Sequence, residues 1–204
     1  RLPHWSQAGT VTFLTWRTWD SLPEIVIQQW HEERALRLRH YGIDPESPNW
    51  KELLEQVSKE LLCELQEILA ERWNNYLDDC LGECVLQQSE LSQIVAESLL
   101  YFDQNRYEVS DFVVMPNHVH VLATFPDEAI MTRQCESWKH FMALKINKFL
   151  GRKGRFWQQE TFDHLVRSQK QFDRLRRYIA DNPAKAKLKP GQFPLYSKDR
   201  VEVH

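Results

Sequence analysis

The chain has 204 residues, 42% apolar and 12% aromatic, enough to bury a core in one domain or in a domain with a sizeable insertion. Its net charge is only −3 and its pI near 6.3, low for a protein that handles nucleic acid. No run approaches the roughly 18 apolar residues of a membrane span, and the opening "RLPHWSQAGT" lacks the apolar middle of a signal peptide. No membrane partner and a cytoplasmic location are therefore expected, with the non-Met first residue read as a trimmed end.

The first element in chain order is "TVTFLTW" (10–16), whose β-branched and aromatic residues predict a strand. From Pro23 to about Arg39 a helix is expected, broken by Gly42, Pro45 and Pro48. Apolar residues at helical spacing from Trp50 to Leu77 then predict one long amphipathic helix in an acidic insertion at about 24–85. "LSQIVAESLLYF" (91–102) repeats the helical pattern. "RYEVSDFVVM" and "HVHVLATF" read as strands of a hairpin joined at Pro116 and Asn117. Residues 131–150 form a basic helix stopped by "GRKG", and "TFDHLVR" is a last short strand. Ser168 and Gln171 have capping-box spacing for a final helix that Pro183 should end. Without the insertion this order is β-α-β-β-α-β plus a terminal helix: an α+β, ferredoxin-like antiparallel sheet with helices on one face, within a single domain spanning 1–204.

Charge is unevenly spread along these elements. Residues 24–105 carry six Lys/Arg against 17 Asp/Glu, whereas residues 133–190 carry 15 Lys/Arg against five Asp/Glu. A basic C-terminal part interleaved with Trp138, Phe149, Phe156, Trp157 and Tyr178 has the composition of a single-stranded nucleic-acid surface, although solvated basic helices share it. The cysteines Cys63, Cys80, Cys84 and Cys135 lack disulfide-framework spacing and read as reduced structural thiols.

Chemistry concentrates at "VVMPNHVHVLATF". His118 and His120 stand two apart on a strand, so both imidazoles project from one face. The spacing alone is weak, since a chain with eight histidines often holds such a pair. Tyr178 and Asn182 lie one turn apart on the last helix, beside the apolar stripe of Phe172, Leu175 and Ile179, where they can look along the sheet. Two imidazoles and an amide oxygen make a mixed N/O set suited to Mg²⁺ or Mn²⁺. Such a metal beside a tyrosine matches phosphodiester cleavage by a tyrosine nucleophile.

These segments resemble the single-tyrosine HUH transposase family, most closely its REP-associated tyrosine transposase branch. The resemblance is carried by "TVTFLTWRTWDSLP", "NRYEVSDFVVMPNHVHVL", "SWKHFMALKINKFLGRKGRFWQQETFDHLVRS" and "YIADNPAKAKL", in order, over about 110 residues. It implies a metal-dependent single-stranded DNA endonuclease and strand transferase acting at hairpins or palindromic repeats, and a nucleoid-associated location. It further implies that Tyr178 is the nucleophile that forms a 5′-phosphotyrosyl link, with His118, His120 and Asn182 as metal ligands. "WQQETFDHLVR" also matches the branch, which makes Glu160, Asp163 and His164 candidates for contacts behind the metal or to DNA. Arg133, Lys139, Lys145, Arg152, Lys153, Arg155, Arg176 and Arg177 are the phosphate-contact candidates. Monomer and homodimer both remain open. The rival readings are a non-catalytic single-stranded nucleic-acid-binding module and a metal-dependent phosphodiesterase that uses activated water. The acidic insertion departs from the compact members and is expected to face away from DNA, pack over one edge or make a protein contact.

Overall fold

The computed structural model describes residues 9–58, 61, 64, 65, 68, 69, 72, 75–77, 79–159 and 161–198. The chain divides into two compact units, one of residues 1–21 with 82–204 and one of residues 22–81.

The first unit is built on five strands: β1 (Val11–Arg17), β2 (Glu108–Val114), β3 (His118–Thr124), β4 (Phe162–Leu165) and β5 (Leu195–Ser197). They form one antiparallel sheet in the order β4-β1-β3-β2-β5. The first four strands have the ferredoxin-like arrangement expected from the sequence, and the three-residue β5 is an addition it did not announce. β2 and β3 make the expected hairpin, closed across Pro116 and Asn117 by Met115 N–H donating to the His118 carbonyl at 2.8 Å.

Strand alternation sorts the side chains into two layers. Leu14, Trp16, Val119, Val121 and Ala123 point to one face and are covered by apolar residues of two helices, Ser89–Leu100 and Glu128–Phe149. Trp16 stacks on Trp138 there, and Trp138 donates its indole N–H to Tyr107 Oη at 3.2 Å. Full burial of a Leu or Val in such a layer contributes about 1.5–3 kcal/mol. Phe13, Val113, Met115 and Leu122 point to the opposite face, where the helix Gln169–Lys185 lays down Phe172, Leu175, Tyr178 and Ile179. The sheet is therefore covered on both sides, the tyrosine helix packing on the face that carries the histidines.

Three local readings are corrected. The basic helix begins at Glu128, because Asp127 accepts from Ile130 N–H and caps it. The last helix, capped by Ser168 accepting from Gln171 N–H as expected, runs through Pro183 to Lys185. A proline in the last turn removes one backbone donor, and the turn still closes through Ala186 N–H to the Asn182 carbonyl and Leu188 N–H to the Pro183 carbonyl.

The third correction falls in the second unit. It holds α1 (Glu24–His40) and α2 (Trp50–Gln56). α1 ends at Gly42, whose φ of +77° allows Gly42 N–H and Ile43 N–H to reach back to the Arg39 and Leu38 carbonyls. The single helix expected from Trp50 to Leu77 is interrupted at Val57 and Ser58, where Ser58 Oγ accepts from Leu61 N–H and opens a new helical segment. Several positions of that stretch lie outside the described residues, as does Cys63. Arg72 of this segment pairs with Glu33 of α1 at 2.6 Å. With α3 for Ser89–Leu100, α4 for Glu128–Phe149 and α5 for Gln169–Lys185, the remaining helices keep chain order.

Candidate active site

Register brings the candidate site together. β3 places His118 and His120 on the α5 face with their rings 4.6 Å apart, both fully buried. Each imidazole is held at Nδ1 by a neighbour. Asn117 Oδ1 lies 2.7 Å from His118 Nδ1, and an amide oxygen can only accept, so Nδ1 carries the proton and Nε2 the lone pair. Thr15 is the direct cross-strand partner of His120 and sets its Oγ1 2.7 Å from Nδ1. With Nδ1 donating to it, His120 Nε2 accepts from Tyr178 Oη at 3.3 Å. Phe13 stacks on the His120 ring and meets Tyr178 edge-on, fixing both orientations. Asn182, one turn beyond Tyr178 on α5, is fully buried on the same side.

Burial pushes His118 down to about 3 and His120 well below its ordinary value, with His118 and Lys185 adding to the shift at His120. Both rings are therefore neutral near pH 7, the state a metal requires. Unfolding exposes them, so between pH 6.5 and about 3 the unfolded metal-free chain binds protons that the folded chain refuses. Stability consequently falls as pH falls through that window, by up to about 1.4 kcal/mol per unit for each ring. Denaturant midpoints at pH 7.5 and 5.5 should show this loss; a flat profile would contradict burial of the neutral rings.

The residues fit a divalent cation. His118 Nε2 is buried with no hydrogen-bond partner, a costly arrangement unless a ligand completes it. Among the described residues no cluster of three or more His, Cys, Asp and Glu side chains is found, and fully buried Asn182 offers an amide oxygen as a third donor.

The other sequence candidates are scattered. Glu160 lies outside the described residues. Asp163 alternates onto the α4 face, opposite the histidines, and lines a cavity of about 650 Å³ with Lys139 and Trp157, so it does not stand behind the metal position. His164 is on the histidine face but bonds Gln171 Nε2 near the start of α5, which makes it a helix-docking residue. Arg133, Lys139 and Lys145 ride on α4, across the sheet from the site, and Lys139 Nζ is tied to the Gln159 carbonyl and Thr161 Oγ1. Arg152 pairs with Glu83 at 2.6 Å, and Lys153 is exposed beside it. Arg177 is exposed on α5.

Arg176 is bound internally. A bulge between Val109 and Asp111 shifts the alternation of β2, so Asp111 turns to the α5 face and meets Arg176 at 2.9 Å, with Ser197 Oγ accepting from the same guanidinium. Arg176→Ala leaves the Asp111 carboxylate, only 5% exposed, without its main cation. It should cost about 2–3 kcal/mol, below the range for a fully buried pair because Arg176 is partly solvated. Urea unfolding measures this loss, and a change below about 0.5 kcal/mol would contradict the pairing.

Sequence reasoning missed four residues of the site: Thr15, Asn117, Arg17 and Lys185. Arg17 is buried and pairs across from His118, and Lys185 Nζ lies 4.5 Å over the Tyr178 ring. Lys185 was readable, being seven positions and two helical turns after Tyr178.

Comparisons with known proteins bear on the same residues. A family model described as "Transposase IS200 like" matches residues 85–182, a stretch that contains His118, His120, Tyr178 and Asn182. Among solved structures, a REP-associated tyrosine transposase bound to a REP hairpin is similar, with a TM-score of 0.49 and 13% identity over 91% of this chain and 73% of that one. No curated protein matches the chain.

Proposed function

We propose, from the membership of residues 85–182 in the IS200-like transposase family, that this chain cuts and rejoins single-stranded DNA beside hairpins through Tyr178. The observation that carries the reading is the convergence of Tyr178 Oη on His120 Nε2 at 3.3 Å, beside the partnerless Nε2 of His118. His118, His120 and Asn182 would hold a divalent cation, Mg²⁺ or Mn²⁺, which when bound polarises the scissile phosphate and offsets its developing charge. Thr15 and Asn117 keep both imidazoles in the tautomer that presents Nε2.

Tyr178 does the covalent work. Its Oη forms the bond to phosphorus as the bond from phosphorus to the 3′-oxygen breaks, leaving a 5′-phosphotyrosyl link and a 3′-hydroxyl. The phenol proton is lost to water and the departing oxygen takes one up, so the step conserves charge and is reversible by attack of that hydroxyl. The ester bond is kept rather than hydrolysed, which is what strand transfer needs. Phe13 and Lys185, packed on the edge and face of the tyrosine ring, hold it over the histidines.

The test is incubation with Mg²⁺ or Mn²⁺ and end-labelled single-stranded hairpin DNAs, followed by denaturing electrophoresis. A denaturant-resistant adduct supports the reading. Cleavage without an adduct supports the water-using phosphodiesterase, and binding without cleavage supports the non-catalytic module.

A further inference from the structure

Beyond the end of β1 the chain builds a second feature beside the histidines. Arg17 is the last residue of β1 and pairs with His118; Thr18 N–H then donates to the Asn117 carbonyl at 2.8 Å, while the Asn117 side chain holds His118 Nδ1. The next residue, Trp19, is 50% exposed, unlike Trp16 and Trp157, which are buried in the core. Its backbone is pinned on both sides: Trp19 N–H donates to the Phe156 carbonyl at 2.8 Å, and Gln158 Nε2 donates to the Trp19 carbonyl at 2.8 Å. Thr18 bridges Trp157, and Gln158 N–H donates to the Arg17 carbonyl, so segment 156–158 runs antiparallel to the strand end. Phe156 and Trp157 are buried and anchor that segment.

The same segment delivers a cation to the indole. The Arg155 guanidinium lies 4.4 Å from the Trp19 ring centroid, in cation–π range. An exposed indole costs free energy in water, and stacking an arginine on it while its backbone N–H and carbonyl are both held by segment 156–158 produces a rigid, half-open, positively charged plane. Of the nearby cations Arg152 is paired with Glu83, which leaves Arg155 and Lys153 to meet a phosphate. A planar aromatic face with a guanidinium against it is the chemistry that receives an unpaired base and its phosphate.

We infer that Trp19 and Arg155 form a stacking platform for one unpaired nucleobase of the single-stranded DNA, next to the phosphate cut at the histidine site. This rests on the proposed function. It adds a subsite, held in register with the histidines through Trp19, Thr18, Asn117 and His118, that reads the presence of a base and not its identity, because every base has a stacking face.

The test uses the full chain carrying Tyr178→Phe, so that binding is measured without cleavage, and the tightest-bound member of a pool of DNA hairpins with randomised single-stranded flanks. Trp19→Ala should weaken binding about tenfold, the effect of one lost stacked base, while Trp19→Phe stays within about threefold of the parent. Replacing flank nucleotides one at a time by an abasic residue should reveal one position whose loss weakens the parent about tenfold and leaves Trp19→Ala unchanged. Trp19→Ala should still fold and melt in one cooperative transition, with a modest loss of stability because half of the residue is already in solvent. Parent-like affinity of a folded Trp19→Ala, or abasic losses that add to it at every position, would overturn the platform alone. Absence of single-stranded DNA binding by the parent would overturn the function and the platform with it.

Discussion

Tyr178→Phe should abolish covalent capture of single-stranded DNA and lower cleavage by about a thousandfold or more, while leaving DNA affinity and stability near those of the parent. The Tyr178 ring meets Phe13 and the His120 ring edge-on and lies under Lys185 Nζ, and phenylalanine keeps all three contacts. The deleted hydroxyl makes a bond to His120 Nε2 of 3.3 Å, long for an O–H donor, so its loss costs at most about 1 kcal/mol. The proposed reaction would depend on that oxygen entirely, and no other hydroxyl among the described residues bonds either histidine at Nε2. Electrophoresis after incubation with labelled hairpin DNA reads both effects. Substantial cleavage by the phenylalanine variant would transfer the reaction to activated water and leave Tyr178 a packing residue.

How far the site was legible follows from the range of the interactions involved. The histidine pair was readable because strand alternation is local, and Tyr178 and Asn182 because one helical turn is local too. That the two pairs face each other needed the whole order β4-β1-β3-β2 and the crossing of α5 to the face opposite α3 and α4, which sequence periodicity does not contain. Thr15 was hidden for the same reason: its bond to His120 exists only in the register that pairs them across two strands 105 positions apart. Arg176 was read as a phosphate contact because basic residues on a helix look alike in sequence. The bulge in β2 that turns Asp111 towards it gives this arginine an ion pair inside the fold, which the sequence did not announce. Pro183 misled in a different way, since a proline ends a helix only where the lost donor matters, and in the last turn it does not.

His118→Ala should remove the proposed divalent-cation binding, and chelation should reproduce the defect in the unaltered chain. His118 Nε2 is the one imidazole nitrogen of the pair with no hydrogen-bond partner, so its burial is best explained by a ligand that the ring was positioned to receive. Removing it leaves His120 and Asn182, two donors, too few to hold Mg²⁺ or Mn²⁺ against water. Mn²⁺ paramagnetic resonance should show about one ion per parent chain and an affinity at least tenfold weaker in His118→Ala. The readout does not depend on DNA or turnover. A folded parent saturated with Mn²⁺ at a hundred times its dissociation constant should gain about 2.7 kcal/mol of stability, which His118→Ala should lose. The pH dependence separates this effect from simple packing loss. Burial keeps both imidazoles neutral well below pH 6.5 in the folded chain, so below pH 6.5 the parent should lose stability while still holding Mn²⁺, whereas in His118→Ala the His120 ring alone of the pair is left to contribute. Equal Mn²⁺ affinity in parent and variant would remove His118 from the metal site and leave its unbonded nitrogen without a chemical role.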